Sequence, residues 1–228
     1  MAERPILFSG PMVRAILAGQ KTVTRRVCSV QPILDDELWS VFYPWGEGGH
    51  GIYETEAEMR EEFDRLMFAH NPYGVPGDRL WVRETWRTFE RESDSVDGIR
   101  FQADGAFVEI ANTREASDLW VDAHENGKHG DNWRPSIFMR PWMCRIRREV
   151  TDVTIERLQD ITEEQAKAEG VTTDPQRGKL NGKPAMLYPM THRQAFIWLW
   201  DSINGKRRGC AWKDNPWVWA VSFKRVDT

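Results

Sequence analysis

SGPMVRAILAGQKTVTRRV, residues 9–27, contains a helix, its stop and the start of a strand within nineteen positions. Ser9-Gly10-Pro11 offers a cap followed by a proline at the first helical position, where the missing N–H costs nothing. Met12, Val13, Ile16 and Leu17 then share one helical face, and Gly19 closes about two turns. From Gln20 to Val27 β-branched residues alternate with polar ones, the composition of a strand leaving a helix. Lys21 and Thr24 therefore sit at a helix-to-strand corner. Three residues apart, they converge if the backbone turns between them and diverge if it is fully extended.

Beyond this corner, residues 31–76 turn to proline, glycine, acids and aromatics, with a helical stretch over 54–69 in which Met59, Phe63, Leu66 and Met67 share a face. This reads as an insertion. Pro76-Gly77-Asp78 is a turn that launches a strand from Arg79 to Trp86, with Leu80, Val82 and Glu84 on one face and Trp81, Arg83 and Thr85 on the other. A further strand is expected over 99–103, and residues 105–135, polar throughout, read as a long loop or flap within a second insertion, 87–135. Residues 143–153 alternate as a strand. Thr162-Glu163-Glu164-Gln165 fits a capping box and opens a helix ending at Glu169-Gly170. A third, polar insertion covers 172–190, after which Thr191-His192-Arg193-Gln194 repeats the capping-box pattern ahead of a helix that Gly205 stops. Residues 217–226 close the chain as a strand. Short strands and few helices without a βαβ rhythm predict an α+β class: one domain over 1–228, built as a small, mostly antiparallel β-barrel with short flanking helices and long insertions.

Hydrophobic residues make up 40% of the 228 and charged residues 29%, a composition that supports a buried core and excludes a disordered chain. The net charge of −4 excludes a histone-like basic surface, so any nucleic acid must be held by a local patch. The basic charge is biased: 23 Arg stand against 8 Lys, beside 12 Trp. Planar guanidinium groups and flat rings suit stacking on bases and gripping phosphates, or, more simply, a Trp-filled core with Arg snorkelling around it. No apolar run reaches the ~18 residues of a membrane span, and no targeting segment is read, so a cytoplasmic protein with no membrane partner is expected. Three distant cysteines (Cys28, Cys144, Cys210) are expected to be buried free thiols, Cys144 inert. His50, His70, His124, His129 and His192 lack ligand spacing, so neither metal nor cofactor is expected. Lys206-Arg207-Arg208 reads as a solvated loop or a phosphate contact.

The stretch Ile16-Leu17-Ala18-Gly19-Gln20-Lys21-Thr22-Val23-Thr24-Arg25-Arg26 resembles the signature of ASCH domains, in which glycine, lysine and arginine recur at the spacing of Gly19, Lys21 and Arg26. Gly77-Asp78-Arg79-Leu80-Trp81-Val82-Arg83-Glu84-Thr85-Trp86 resembles the second block of that family, in a form common among phage and prophage proteins. Residues 158–171 and 217–226 are similar to its third and fourth blocks. The resemblance implies a PUA-like β-barrel with a cleft for a nucleoside or nucleic acid. Lys21, Thr24 and Glu169 are similar to the corresponding positions of the small bacterial amidohydrolases that remove the acetyl group of N4-acetylcytidine, whereas many other ASCH proteins carry glutamate in place of Thr24.

The chemistry is coherent without the resemblance. A threonine hydroxyl becomes a nucleophile only beside a base, and lysine serves as one when desolvation or a neighbouring cation lowers its pKa; Arg25 and Arg26 are candidates for that cation. Glu169 can orient the lysine or shuttle a proton to the leaving amine. Arg26, Arg83, Glu84, Trp81 and Trp86 are the candidate substrate contacts, against the alternatives of an Arg–Glu pair at a barrel rim and tryptophans packed in the core. The expected ligand is a modified nucleoside or single-stranded RNA, with DNA a further option. The leading expectation is amide hydrolysis of the N4-acetylcytidine type, the alternative a non-catalytic reader of RNA or modified DNA, and the third a ribonuclease.

Overall fold

The computed structural model describes residues 1–44, 49–91, 96–125, 132–174, 176–180, 183–187 and 191–226. In chain order the elements are β1 (Glu3–Leu7), α1 (Gly10–Leu17), β2 (Val23–Val27), β3 (Ile33–Asp35), β4 (Leu38–Phe42), β5 (His50–Tyr53), α2 (Glu56–Ala69) and β6 (Arg79–Arg83). They continue with β7 (Trp86–Arg91), β8 (Val96–Phe101), β9 (Phe107–Glu109), α3 (Arg114–Glu125), β10 (Arg147–Arg157) and α4 (Glu163–Ala168). The last are β11 (Gln176–Leu180), β12 (Lys183–Leu187), α5 (His192–Asn204) and β13 (Trp217–Arg225). The chain separates into two compact units, the first Met1–Gly19, Gly77–Val150 and Lys224–Thr228, the second Gln20–Pro76 and Thr151–Phe223.

In the first unit β1 runs parallel to β6, and Arg147–Glu149 of β10 pairs antiparallel on the other side of β6. Strand β1 escaped the sequence reading because Pro5 interrupts it; as the edge strand of its sheet it tolerates a residue with no N–H to donate. Strands β7, β8 and β9 form an antiparallel sheet. Helix α3 covers it with Trp120 and Ala123, and the Trp120 indole donates to Gly98 O at 2.9 Å. A side chain at Gly98 would meet the Phe107 ring at 2.3 Å, so this close approach of sheet and ring requires glycine. The long loop expected over 105–135 is thus corrected to β9 and α3; residues 126–131 of that stretch, His129 among them, lie outside the described residues. The core here joins Trp81, Trp86, Ile99, Phe101, Trp120, Met139, Met143 and Cys144.

In the second unit β2 and β13 pair antiparallel, and the C-terminal half of β10 continues that sheet beside β13. Strands β3, β4 and β5 make a second antiparallel sheet, and α2 follows, burying Met59, Phe63 and Met67 from the predicted face while Leu66 stays half-buried. The polar insertion 172–190 holds the β11–β12 hairpin in place of the loop expected from its composition. Leu158, Ile161, Ala166, Phe196, Trp200 and Val218 form the core between α4, α5 and the sheet. Arg60 and Arg157 each place a guanidinium 4.4 Å from the Trp217 ring, so much of the Trp and Arg bias is spent on packing.

The class is mixed α+β with mostly antiparallel sheets, none of which closes into a barrel among the described residues. No described helix is long and apolar enough to cross a membrane.

The predicted capping box at α4 is present in both directions: Thr162 accepts from Gln165 N at 3.2 Å and the Gln165 side chain accepts from Thr162 N at 2.9 Å. Thr162→Ala is expected to lower stability by about 1 kcal/mol in urea unfolding, while Thr162→Ser, which keeps the acceptor, leaves the midpoint nearly in place.

Candidate functional site

Helix α4 ends where the sequence predicted, Glu169 being its C-cap and Gly170, at φ 76°, taking the left-handed position that stops it. The exposed end of this helix is covered by the corner after α1. Thr22 N donates to Ala168 O at 2.9 Å, and Lys21 and Glu169 form an isolated antiparallel bridge. Lys21 lies just outside β2, so its side chain is free to curl back along the chain. Its Nζ donates to Val23 O at 2.9 Å, to Glu169 O at 2.9 Å and to Glu169 Oε2 at 2.6 Å. One ammonium therefore satisfies a helix-terminal carbonyl, a carboxylate and the carbonyl of the peptide that leads into Thr24.

Both partners are only 3% exposed. Burial pulls the Lys21 pKa below its ordinary value; Glu169 opposes that shift, and Arg26 and Arg25 reinforce it. Glu169 is shared: its other oxygen, Oε1, lies 3.3 Å from Arg25 Nη1. Arg25 in turn places Nε 2.8 Å and Nη2 2.7 Å from Glu156 Oε1 on β10. The result is a chain of alternating charge, Lys21–Glu169–Arg25–Glu156, with Glu169 between two cations. Glu156 stands in an ordinary alternating strand and carries no local signal that would pair it with Arg25.

Thr24 is buried on β2, opposite Val221 of β13, and among the described residues no hydrogen bond holds its hydroxyl. Arg26, half-buried on the same strand and paired in register with Trp219, has its pKa lowered by burial, an effect that Tyr73 and Glu169 oppose. Phe68 and Tyr73 stand edge-on to Trp219 at 5.4 and 6.3 Å, so the aromatic surroundings of Arg26 come from α2 and the segment after it.

The remaining predicted contacts, Trp81, Arg83, Glu84 and Trp86, belong to the first unit. Glu84, 1% exposed, is held bidentately by Arg145, Nε to Oε1 and Nη2 to Oε2, both at 2.8 Å. Arg145 also grips Asp104 at 2.9 Å through both oxygens. Arg145, flanked by the buried Cys144 and Ile146, thus joins Glu84 and Asp104 in one cluster, and no local sequence signal marks it as their partner. Trp81 and Trp86 both sit in the core cluster, with Arg83 over the first at 5.2 Å and Arg134 over the second at 4.9 Å. Neither offers an open face for a base. Arg83 additionally donates to Ile137 O.

All three cysteines are free and buried, and burial raises the Cys144 thiol pKa, as expected of an inert thiol. His50 and His70 are exposed, His124 stacks on Trp120 at 4.6 Å, and His192 bonds Glu163 at 3.1 Å. Lys206, Arg207 and Arg208 are exposed. Among the described residues no group of three or more His, Cys, Asp or Glu is placed to hold a metal ion. Comparison with protein-family models, with curated proteins and with solved structures gives no match, so the site stands on its own geometry.

Proposed function

We propose that this chain is an ASCH-type, PUA-like protein that binds a modified nucleoside or single-stranded RNA in the second unit and hydrolyses an exocyclic amide of the N4-acetylcytidine type. The observation that supports this most is the reach of Lys21 to Glu169, 148 residues away, at 2.6 Å, with the same ammonium anchored on the peptide leading into Thr24. In the proposed reaction the neutral lysine takes the Thr24 hydroxyl proton as the oxygen attacks the acetyl carbon. The C–N bond then breaks, the amine leaves with that proton, and water cleaves the acetyl-threonine with Lys21 again as base. Glu169 positions Lys21, and Arg26 is the nearby cation able to stabilise the oxyanion. Burial, the largest influence on Lys21, favours the neutral form that this mechanism uses.

A second reading has its own support. All three ammonium hydrogens of Lys21 already have acceptors, an arrangement that equally suits a fixed structural clamp beneath a non-catalytic reader of RNA or modified DNA. Turnover separates the two. Purified protein is expected to release cytidine from N4-acetylcytidine, with Lys21→Met and Thr24→Val each lowering kcat by about 10²-fold or more. A folded parent that binds the nucleoside without turnover supports the reader.

A further inference from the structure

Near the N-terminal end of β10 the first unit holds a cavity of about 170 Å³, lined by Leu17, Ile146, Val226 and the arginines Arg145, Arg147, Arg148 and Arg225. The four arginines differ in how their charge is met. Arg145 is saturated by Glu84 and Asp104. Arg147 has one carboxylate, Glu3, at 3.4 Å on an open surface. Arg148 bonds only carbonyl oxygens, Arg147 O at 2.8 Å and Ile16 O at 3.2 Å, so its orientation is fixed while its charge is left unmatched. The side chain of Arg225, exposed at the end of β13, makes no hydrogen bond or ion pair among the described residues. The other nearby carboxylate, Glu149, is engaged by Lys224 at 3.0 Å.

Two guanidinium groups facing one concavity, with no carboxylate between them, repel each other; the Arg148 pKa falls through burial and through this neighbour. An anion relieves both effects, and the planar fork of arginine matches tetrahedral oxyanions bidentately. The cavity is below the ~300 Å³ at which pockets for drug-sized molecules begin, so it fits one phosphate group and not a whole nucleotide. We infer that Arg148 and Arg225 form a phosphate-binding site in the first unit, taking a phosphodiester of a bound strand or a terminal phosphate monoester. Arg145 serves as the neutralised wall of this site and Leu17 as its apolar one. The inference is independent of the hydrolytic reading, whose residues all lie in the second unit.

The full-length protein is titrated with inorganic phosphate, with a nucleoside 5′-monophosphate and with a labelled short oligouridine at several salt concentrations. Arg148→Gln, Arg225→Gln and the double variant are compared with the parent. Phosphate is expected to bind saturably and each substitution to weaken it about tenfold. For the oligouridine, the slope of log affinity against log salt is expected to fall by about 0.7 for each arginine removed. Tighter binding of the oligomer than of the monophosphate assigns the site to a phosphodiester strand, and equal binding assigns it to a terminal phosphate. Arg225 is exposed, so Arg225→Gln tests the site without disturbing the fold. Lys21→Met is expected to leave phosphate binding unchanged even if N4-acetylcytidine is never turned over. Absence of saturable phosphate binding by the parent, or unchanged affinity and slope in Arg225→Gln and the double variant, overturns the inference.

Discussion

Glu169→Gln is expected to lower stability by about 3 kcal/mol or more at neutral pH, and to cost more than Lys21→Met. Breaking a buried ion pair is expensive because the charge left behind has neither partner nor water. Glu169 is bonded to both Lys21 and Arg25, so its neutralisation removes a carboxylate charge from a buried ammonium and weakens a second cation at once. In Lys21→Met, by contrast, Glu169 keeps Arg25, and the methionine fills much of the lysine stem's volume. Urea unfolding of the two variants gives the order directly. A larger loss for Lys21→Met would mean that the lysine's bonds to Val23 O and Glu169 O, and not the charge on Glu169, hold this corner together.

Arg145→Met is the second large effect, about 3–5 kcal/mol at neutral pH, because it leaves Glu84 in the first core without its countercharge. The loss also depends on pH, with a defined sign. Burial raises the Glu84 pKa above its ordinary 4.5, with Arg145 holding it down and Asp104 pushing it up. A carboxyl raised in the folded state costs stability as pH climbs from its unfolded pKa through its folded one, and removing Arg145 raises the folded value further. Asp104 is held below its ordinary 3.8, chiefly by its bond to Arg145, and so contributes stability that is present above 3.8 and lost as pH falls through its folded pKa. The variant forfeits that contribution too. Both effects make the deficit of Arg145→Met widest near neutrality and smaller below about pH 4.5. Unfolding midpoints for parent and variant across this range check it; a constant difference would assign the loss to packing of the Arg145 stem on Phe101, 4.2 Å away.

Local signals were the legible ones. The stop after α1, the capping box of α4 and its end at Glu169-Gly170 depend on residues within one turn, and the structure repeats them. The buried stripe of α2 follows from spacing in the same way. Helix α3 was hidden because it covers its sheet with little more than Trp120 and Ala123, too short a stripe to stand out in polar surroundings. Strand β1 was hidden by its proline. Pairings across long separations had no local signature: Arg25–Glu156 and the Glu84–Arg145–Asp104 cluster arise from which strands and turns come side by side, and that is decided by tertiary structure. The Lys21–Glu169 contact, across 148 residues, has no local signature either. The tryptophans chosen for stacking were strand residues whose composition serves a core equally well, and the core has them.

Rapid quenching after the protein is mixed with N4-acetylcytidine, followed by peptide mass spectrometry, tests the proposed role of Thr24 most directly. An acetyl group is expected on Thr24 in the parent and on the serine of Thr24→Ser, with none in Thr24→Val or Lys21→Met. Cytidine released at full rate by Thr24→Val, or an acetyl group trapped on another residue while Thr24 stays unmodified, would contradict it.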